Sequence, residues 1–377
     1  GINNLSVVGK DGFEGDTLSY IENIDITLDL MSVINGSVYE VKRISIDRPR
    51  VFVKVTEDGQ ANYDIALPSD EETAEEDTPE ETSDPFVLTL KHLEINNGLV
   101  VYDDEELGFL LRMAGLNHTL SGDLSEDKTD LKTNTTVEDM SVGYEGINYL
   151  TRTRLEYDAD IDADLKNEIY TLNKNNLKLN ELEIAFDGLV SMVGEDINLV
   201  LTFNAPKTEF KHLLSLVPAI YAKDFENIEA SGQLSLDGNV KGHYNEEHLP
   251  SFSVDLSVND AMFKYPDLPA AVTDVNIRTS VTNPGGDADK TVVDVSKFHM
   301  EMGNNPIDMN LVLRTPVSDP DIDGAIKGKL DLATVQECDP LEEGEKLTGS
   351  FVADITLKGK LSAIENENYQ DFTAIGS

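Results

Sequence analysis

The sequence has one cysteine, no tryptophan and few basic residues for its length. Cys338 is the only cysteine in 377 residues, so no disulfide can form within the chain, and cysteine usage gives no sign of an oxidising compartment. Lys and Arg number 29 against 72 Asp and Glu, which gives a formal net charge of -43 at pH 7. A field of that sign repels phosphate backbones and anionic lipid surfaces, so nucleic-acid binding is not expected.

Long apolar runs and aromatic rings are also scarce. No stretch approaches the roughly 18 apolar residues that indicate a membrane-spanning helix, and no secretory leader opens the chain. Gly1 leads directly into the strand-like segment 5–8 without an initiator Met, which predicts a fragment whose membrane anchor lies outside it. Aromatic residues make up only 7%. A glycan-binding or glycan-active protein, which needs aromatic platforms, is therefore the weakest functional class.

Recognisable catalytic and metal-binding motifs are missing as well. The sequence has no G-x-S-x-G elbow, no G-x-x-x-x-G-K-[ST] loop, no H-E-x-x-H helix and no C-x-x-C pair. The nearest approach to a metal cluster is His243 with His248, whose spacing fits no zinc-protease order and favours a polar turn. The sequence therefore predicts a non-enzymatic protein with no catalytic residues, no metal site and no cofactor.

What the sequence contains is a regular alternation of apolar and polar residues, which is typical of antiparallel strands with one dry and one wet face. The alternation dominates from residue 85 onward and includes Leu199, Leu201, Phe203, Val254, Leu256, Leu311 and Leu313. The fold class is therefore predicted to be all-β and mainly antiparallel. Residues 208–225 differ, because their apolar residues recur at helical spacing around Pro218, which predicts a kinked amphipathic helical segment.

Two stretches of the chain have similar sequences. Residues 95–104 return as residues 258–267, so that Tyr102 corresponds to Tyr265 at an offset of 163. A second echo links Asp158–Asp162 to Asp319–Asp323 at an offset of 161. Matched ends at a near-constant offset predict an internal structural repeat in which Tyr102 and Tyr265 are counterparts.

These patterns predict six segments along the chain. They are an N-terminal β segment at 1–68, an acidic mobile loop at 69–84, a first β repeat at 85–206, a kinked helical segment at 207–225, a second β repeat at 226–335, and a linker with the start of a further repeat at 336–377. The loop at 69–84 holds nine acidic residues and no base, so it cannot bury enough to offset its ordering entropy. A calcium-binding loop is the alternative, but the spacing and glycine of such loops are absent.

The one-sided strands raise the question of what covers their apolar face. A buried Leu or Val is favoured by roughly 1.5 to 3 kcal/mol over an exposed one, so a bare face is unfavourable in water. The sheet can pack on another sheet, close into a barrel, or curl into a trough that holds an apolar ligand. Because repeats extend a structure lengthwise, we expect an elongated, curved sheet with an open groove. Two ordinary sandwich domains are the alternative.

Several segments resemble a known family. Residues 4–18, the Arg-Pro step within 44–51 and the Gly-x-Ala-Asn-aromatic turn within 58–64 are similar, in order and character, to the AsmA-like proteins of Gram-negative envelopes, which are related to TamB and YdbH. The Gly-x-Leu-x-Leu-x-Gly text at 232–238 also fits. The acidic composition is typical of a Bacteroidetes member.

The resemblance implies a periplasmic β-structure behind an inner-membrane helix, in a protein of outer-membrane biogenesis and lipid homeostasis. It further implies an apolar groove that binds or conducts phospholipid acyl chains, and it carries over no catalytic residues. The groove-lining role falls on Leu199, Leu201, Phe203, Val254, Leu256, Leu311 and Leu313. An envelope scaffold or assembly factor that acts through protein–protein contacts is the alternative function.

Overall fold

A computed structural model describes most of the chain. The described residues are 1–10, 12–31, 41–65, 90–124, 126–144, 146–194, 196–205, 209–216, 227–245, 248–265, 269–303, 305–338, 348–368 and 370–377. The predicted acidic loop at 69–84 and the second half of the predicted helical segment lie outside them.

The chain divides into two compact units. The first contains residues Gly1–Lys166 with Leu177–Leu179, and the second contains Asn167–Asn176 with Asn180–Ser377. In the described part of both units nearly every regular element is a strand, and almost all strand pairs there are antiparallel. The predicted all-β, mainly antiparallel class is therefore confirmed.

The described residues of the first unit form eight strands. They are β1 (Ile2–Val8), β2 (Thr17–Leu28), β3 (Val41–Asp47), β4 (Arg50–Val55), β5 (His92–Asp104), β6 (Phe109–Ser121), β7 (Lys128–Tyr144) and β8 (Ile147–Asp164). Antiparallel pairing joins β1 to β2, β2 to both β3 and β4, and then β5 through β8 in chain order.

The strands β3 and β4 run parallel to β5, an arrangement that the sequence did not indicate. Arg48 and Pro49 separate them, and Arg48 has a positive φ of 48°. The backbone ladder nevertheless continues across the break, because Arg48 N–H donates to the Asn96 carbonyl at 2.8 Å and Leu99 N–H donates to the Pro49 carbonyl at 2.8 Å. The Arg-Pro step thus divides β3 from β4, which lie between β2 and β5, while the pairing with β5 continues.

The turn after β4 contains Asp58-Gly59, a pair that is typical of a β-hairpin. The chain reverses at Asp58 and Gly59, but the returning segment forms only a single bridge, between Val55 and Ala61. The side chain of Asn62 makes hydrogen bonds to β4 that a paired strand would otherwise make. It accepts the Lys54 N–H at 3.0 Å and donates to the Phe52 carbonyl at 2.7 Å. One buried amide thus satisfies backbone groups that a second strand would otherwise pair.

The second unit contains most of β9 (Ile169–Leu179) and ten further strands. These are β10 (Leu182–Val193), β11 (Asp196–Asn204), β12 (Glu229–Tyr244), β13 (Ser251–Lys264), β14 (Val272–Asn283), β15 (Val292–Met302), β16 (Asn305–Arg314), β17 (Asp321–Asp331), β18 (Ser350–Lys360) and β19 (Phe372–Gly376). From β10 to β19 each strand pairs antiparallel with the next one in the chain.

Short helices accompany these strands. They are α1 (Phe210–Leu214), α2 (Leu332–Cys338) and α3 (Leu361–Glu365), together with a single 3₁₀ turn at Ala288–Lys290. The helix α1 lies at the start of the predicted helical segment and buries Phe210 and Leu214, as the apolar spacing indicated. Sequence analysis missed α2 and α3, which have only seven and five residues and carry no long periodic pattern.

The strands β5 and β13, which match in sequence, share a β-bulge. Between Ile95 and Gly98 the pairing with β6 slips by a residue, and between Val258 and Ala261 the pairing with β14 slips in the same way. The bulge residues, Asn97 and Asp260, have positive φ angles of 49° and 48°. Positions that match in sequence therefore match in backbone conformation.

The second sequence echo does not mark equivalent strands. Asp158–Asp162 lies inside β8 and pairs with β7, whereas Asp319 precedes β17 and forms no part of it. Counted from the shared bulge, β8 is the third strand after β5, while β17 is the fourth after β13. The correspondence between the two units is therefore seen in the bulged strands β5 and β13, and the two aspartate segments do not share it.

Candidate functional site

The seven residues predicted to line a groove all lie in the second unit, on one face of its sheet. Directly paired residues of an antiparallel ladder point to the same side, so the register alone assigns the face. One row across β11 to β16 consists of Phe203, Gly238, Val254, Val281, Val293 and Leu313. The adjacent row across β12 to β16 consists of Leu236, Leu256, Thr279, Val295 and Leu311. We call this side of β10–β19 the apolar face.

Two more of the predicted residues extend the apolar face along β11. Leu201 pairs with Val240, which pairs in turn with Phe252, and Leu199 stands two residues further along β11 on the same side. The face is thus apolar in both directions, along the strands and across them.

The burial of the apolar face changes from one end to the other. Val258 and Leu234 are 0% and 2% exposed, whereas Leu256, Val254 and Leu311 are only half-buried. Leu256, Val254 and Leu311 therefore keep part of their apolar surface open to solvent.

The helix α1 closes the buried end. It contacts β10, β12 and β13, and Phe210 lies 6.5 Å from the ring of Phe263 between centroids. Ser215, directly after the helix, is fully buried, and its carbonyl accepts the Asn180 side-chain amide at 2.7 Å. A fixed cover thus lies over one end of the apolar face, where Leu234 and Val258 belong to the core of the unit.

Phe203 shows how the face is shaped locally. It pairs with Gly238 on β12, and a Cβ atom at Gly238 would stand 2.2 Å from Phe203 Cζ. The ring therefore occupies the space that a side chain at Gly238 would fill. The absence of a side chain at Gly238 leaves room for the ring on the apolar face.

The opposite face of these strands is polar. Two depressions of about 330 Å³ and 450 Å³ lie there, and Asp237 and Asp255 line both of them. Arg278 and Asp294 contribute to the first. These hollows are on the polar side of the sheet, and most of the residues that line them are polar.

One polar cluster on this second face escaped sequence analysis. His299 Nδ1 lies 2.7 Å from Asp308 Oδ1, and its Nε2 lies 3.1 Å from Asp274 Oδ2. The hydrogen bond with Asp308, followed by the charges of both aspartates, raises the pKa of His299. In the sequence His299 looks isolated, because its partners are on the two neighbouring strands and only the register brings them together.

The described helices are all short, and none of them has the length and apolar character needed to cross a membrane. The fold and the face therefore define a class: an all-β chain whose second unit presents one apolar and one polar side. The model of the AsmA family matches residues 2–329, which include both units up to β17, and the chain belongs to that family. No curated protein and no solved structure matches it.

The AsmA family is associated with the cell envelope, with biogenesis of the outer membrane and with lipid transport, and it is not known for enzymatic activity.

Proposed function

We propose that the chain is a non-enzymatic element of outer-membrane biogenesis and lipid homeostasis, and that its apolar face binds or conducts the acyl chains of phospholipids. The observation that carries the proposal is the continuous apolar row from Phe203 to Leu313, whose members stay half-buried across six neighbouring strands. A row of that kind matches the linear, featureless shape of an acyl chain.

Covering the face supplies the affinity. Each square ångström of apolar surface removed from water contributes roughly 25 cal/mol, so a chain laid along several half-buried Leu and Val side chains is held by area alone. The side chains there offer no charge to a headgroup, and the chain as a whole carries -43. We therefore expect broad acceptance of acyl chains, with weak selection for the headgroup, which stays in water.

The proposal includes a location. Family membership supports an envelope protein, and we infer that these residues act in the periplasm, attached to the inner membrane through a segment outside this sequence. An elongated, curved sheet with an open groove is the form in which the apolar face would serve such a role.

Site-specific photo-crosslinking tests the proposal directly. A photoreactive phenylalanine analogue replaces Leu256 on the apolar face or, as the matched control, Asp255, which is exposed on the opposite face of the same strand. After irradiation of cells that export the protein, mass spectrometry should find phospholipid attached at position 256 and much less at position 255. Equal labelling of both positions, or no lipid at either, would contradict acyl-chain binding on this face.

The same experiment addresses the alternative, an envelope scaffold that acts through protein–protein contacts. Such a protein would give crosslinks from position 256 to defined polypeptides and none to lipid. That outcome would replace the lipid proposal and leave the apolar face as a docking surface.

A further inference from the structure

We propose that Asp274, His299 and Glu301 form a binding site for one divalent transition-metal ion of the Zn²⁺ class, on the polar face of the second unit. One donor atom from each of the three residues lies within 4.8 Å of the other two. Ligand atoms that surround a Zn²⁺ ion at about 2.1 Å lie roughly 3.4 Å from one another. Side-chain movements that shift the donor atoms by about 1 Å therefore complete the site. This proposal is independent of lipid binding.

Strand register brings the three donors together. His299 and Glu301 are two residues apart on β15 and therefore point to the same side. They pair with Asn276 and Thr273 of β14, and Asp274 is one of the two β14 residues that stand opposite the single residue Met300 between those pairs. Its positive φ of 50° belongs to this bulge. The bulge thus turns a third ligand toward the other two.

Hydrogen bonds turn the donor atoms of His299 and Asp274 toward each other, and an ion would replace the hydrogen bond between Nε2 and Oδ2. Asp308 Oδ1 accepts the N–H of His299 Nδ1 at 2.7 Å, which turns the other nitrogen, Nε2, toward Asp274. Metal-binding histidines are commonly oriented in this way, by a carboxylate that accepts from the nitrogen away from the metal. The Asn276 side chain donates to Asp274 Oδ1 at 2.7 Å, and Oδ2 is the oxygen that faces the imidazole.

Charge and exposure fit a metal ion as well. Asp274, Glu301 and Asp308 place three carboxylates around one imidazole, and a divalent ion neutralises two of these negative charges. One nitrogen and two carboxylate oxygens form a donor set that suits Zn²⁺, Mn²⁺ or Fe²⁺. The Asp274 side chain is 53% exposed, so water can complete the coordination. An ion bound there would link β14 to β15 at the bulge, because its ligands come from both strands.

Calorimetry with Zn²⁺ alone and visible absorption with Co²⁺ test the site on the full chain. The wild type should bind one ion more tightly than the weak background that an acidic surface gives. His299→Gln should remove that ion, and Asp308→Asn should weaken its binding about 10- to 100-fold. His92→Gln is the matched control, because His92 also bonds a neighbouring side chain, Ser121, and lies near Glu94. It should bind like the wild type.

Glu301→Gln guards against a folding artefact, since it removes a ligand while leaving both His299 bonds in place. It should also lose the tight ion and keep the wild-type circular dichroism spectrum. The same number and affinity of Zn²⁺ ions in the wild type, His299→Gln and Glu301→Gln would overturn the proposal. The cluster would then be an imidazolium held between two aspartates, with only non-specific metal binding.

Discussion

Asn117 and Asn276 hold the same β-bulge in the two units. Asn117 Oδ1 accepts the N–H of the bulge residue Asn97 at 3.0 Å, and Asn276 Oδ1 accepts the N–H of Asp260 at 3.4 Å. Each amide also donates, at 3.1 Å, to the carbonyl of the residue two positions before it, Gly115 or Asp274.

Other side chains also accept the N–H of a residue with a positive φ angle. Lys174 and Arg152 also have positive φ angles, and their N–H groups donate to Asp187 at 2.9 Å and to Ser141 at 3.2 Å. A bulge leaves one backbone group without a ladder partner, and here a neighbouring strand's side chain accepts it. The repeat is thus a repeat of bulges and their acceptors.

Replacing the acceptor should destabilise the first unit. Asn117→Ala leaves the Asn97 N–H and the Gly115 carbonyl without their side-chain partner, and we expect a loss of about 1 to 2 kcal/mol in the free energy of unfolding. Urea denaturation followed by circular dichroism measures it. Thr119→Ala, two residues further along β6, is the control and should change stability by less than about 0.5 kcal/mol. Equal losses in both variants would show that the amide has no special role.

Replacement by alanine should change stability strongly at one glycine next to a bulge and only slightly at another. Gly232 has φ of 121°, and a Cβ there would stand 2.4 Å from Ala261 Cα, a backbone atom. Gly232→Ala should therefore cost about 2 kcal/mol or more, by thermal or urea unfolding.

Gly98→Ala should change stability by less than about 1 kcal/mol, because the nearest atoms to its Cβ are 3.4 Å away and the second unit carries Ala261 at the matching position. If Gly98→Ala were as harmful as Gly232→Ala, the two bulges would not be equivalent.

Asp319 should contribute stability that depends on acid pH. The backbone N–H of Ser362 at 3.1 Å, then its hydroxyl at 2.9 Å and Lys360 at 3.2 Å, lower the pKa of Asp319. A lowered folded-state pKa means that the stabilisation is complete above the pKa of an unfolded aspartate, about 3.9, and disappears as the pH falls through the folded value.

Thermal melts between pH 2.5 and 6 of the wild type and Asp319→Asn test this sign. The difference in melting temperature should be largest near pH 6 and shrink as the pH falls below about 4. Asp321→Asn, which makes the same change in net charge, is the control. A difference that grows toward low pH would contradict the assigned direction.

Alternation at period 2 was enough to predict the fold class and to choose residues that share one face, because side-chain direction in a strand follows from position alone. The matched sequence around Asn97 and Asp260 falls on two strands that share a bulge, while the repeat segments at 85–206 and 226–335 stay a prediction. The parallel pairing of β3 and β4 with β5, and the cluster of Asp274, His299 and Asp308, depend on which strands become neighbours. That choice is made by long-range pairing and leaves no local signal.

The burial gradient along the apolar face was equally invisible in the sequence. Leu234 and Leu256 have the same pattern of neighbours, yet only Leu234 lies in the buried core beside α1. The difference comes from where a five-residue helix packs, which the apolar spacing of residues 210–214 indicates only as helical.

Lipid occupancy of the purified protein is the most direct measurement of the central claim. Native mass spectrometry of the wild type should show bound phospholipid, and Leu201→Glu should lose most of it, because a charge on the apolar face disfavours an acyl chain. Thr202→Glu, exposed on the opposite face of β11, should keep wild-type occupancy. A lipid-free wild type, or equal occupancy in both folded variants, would contradict acyl-chain binding on the apolar face.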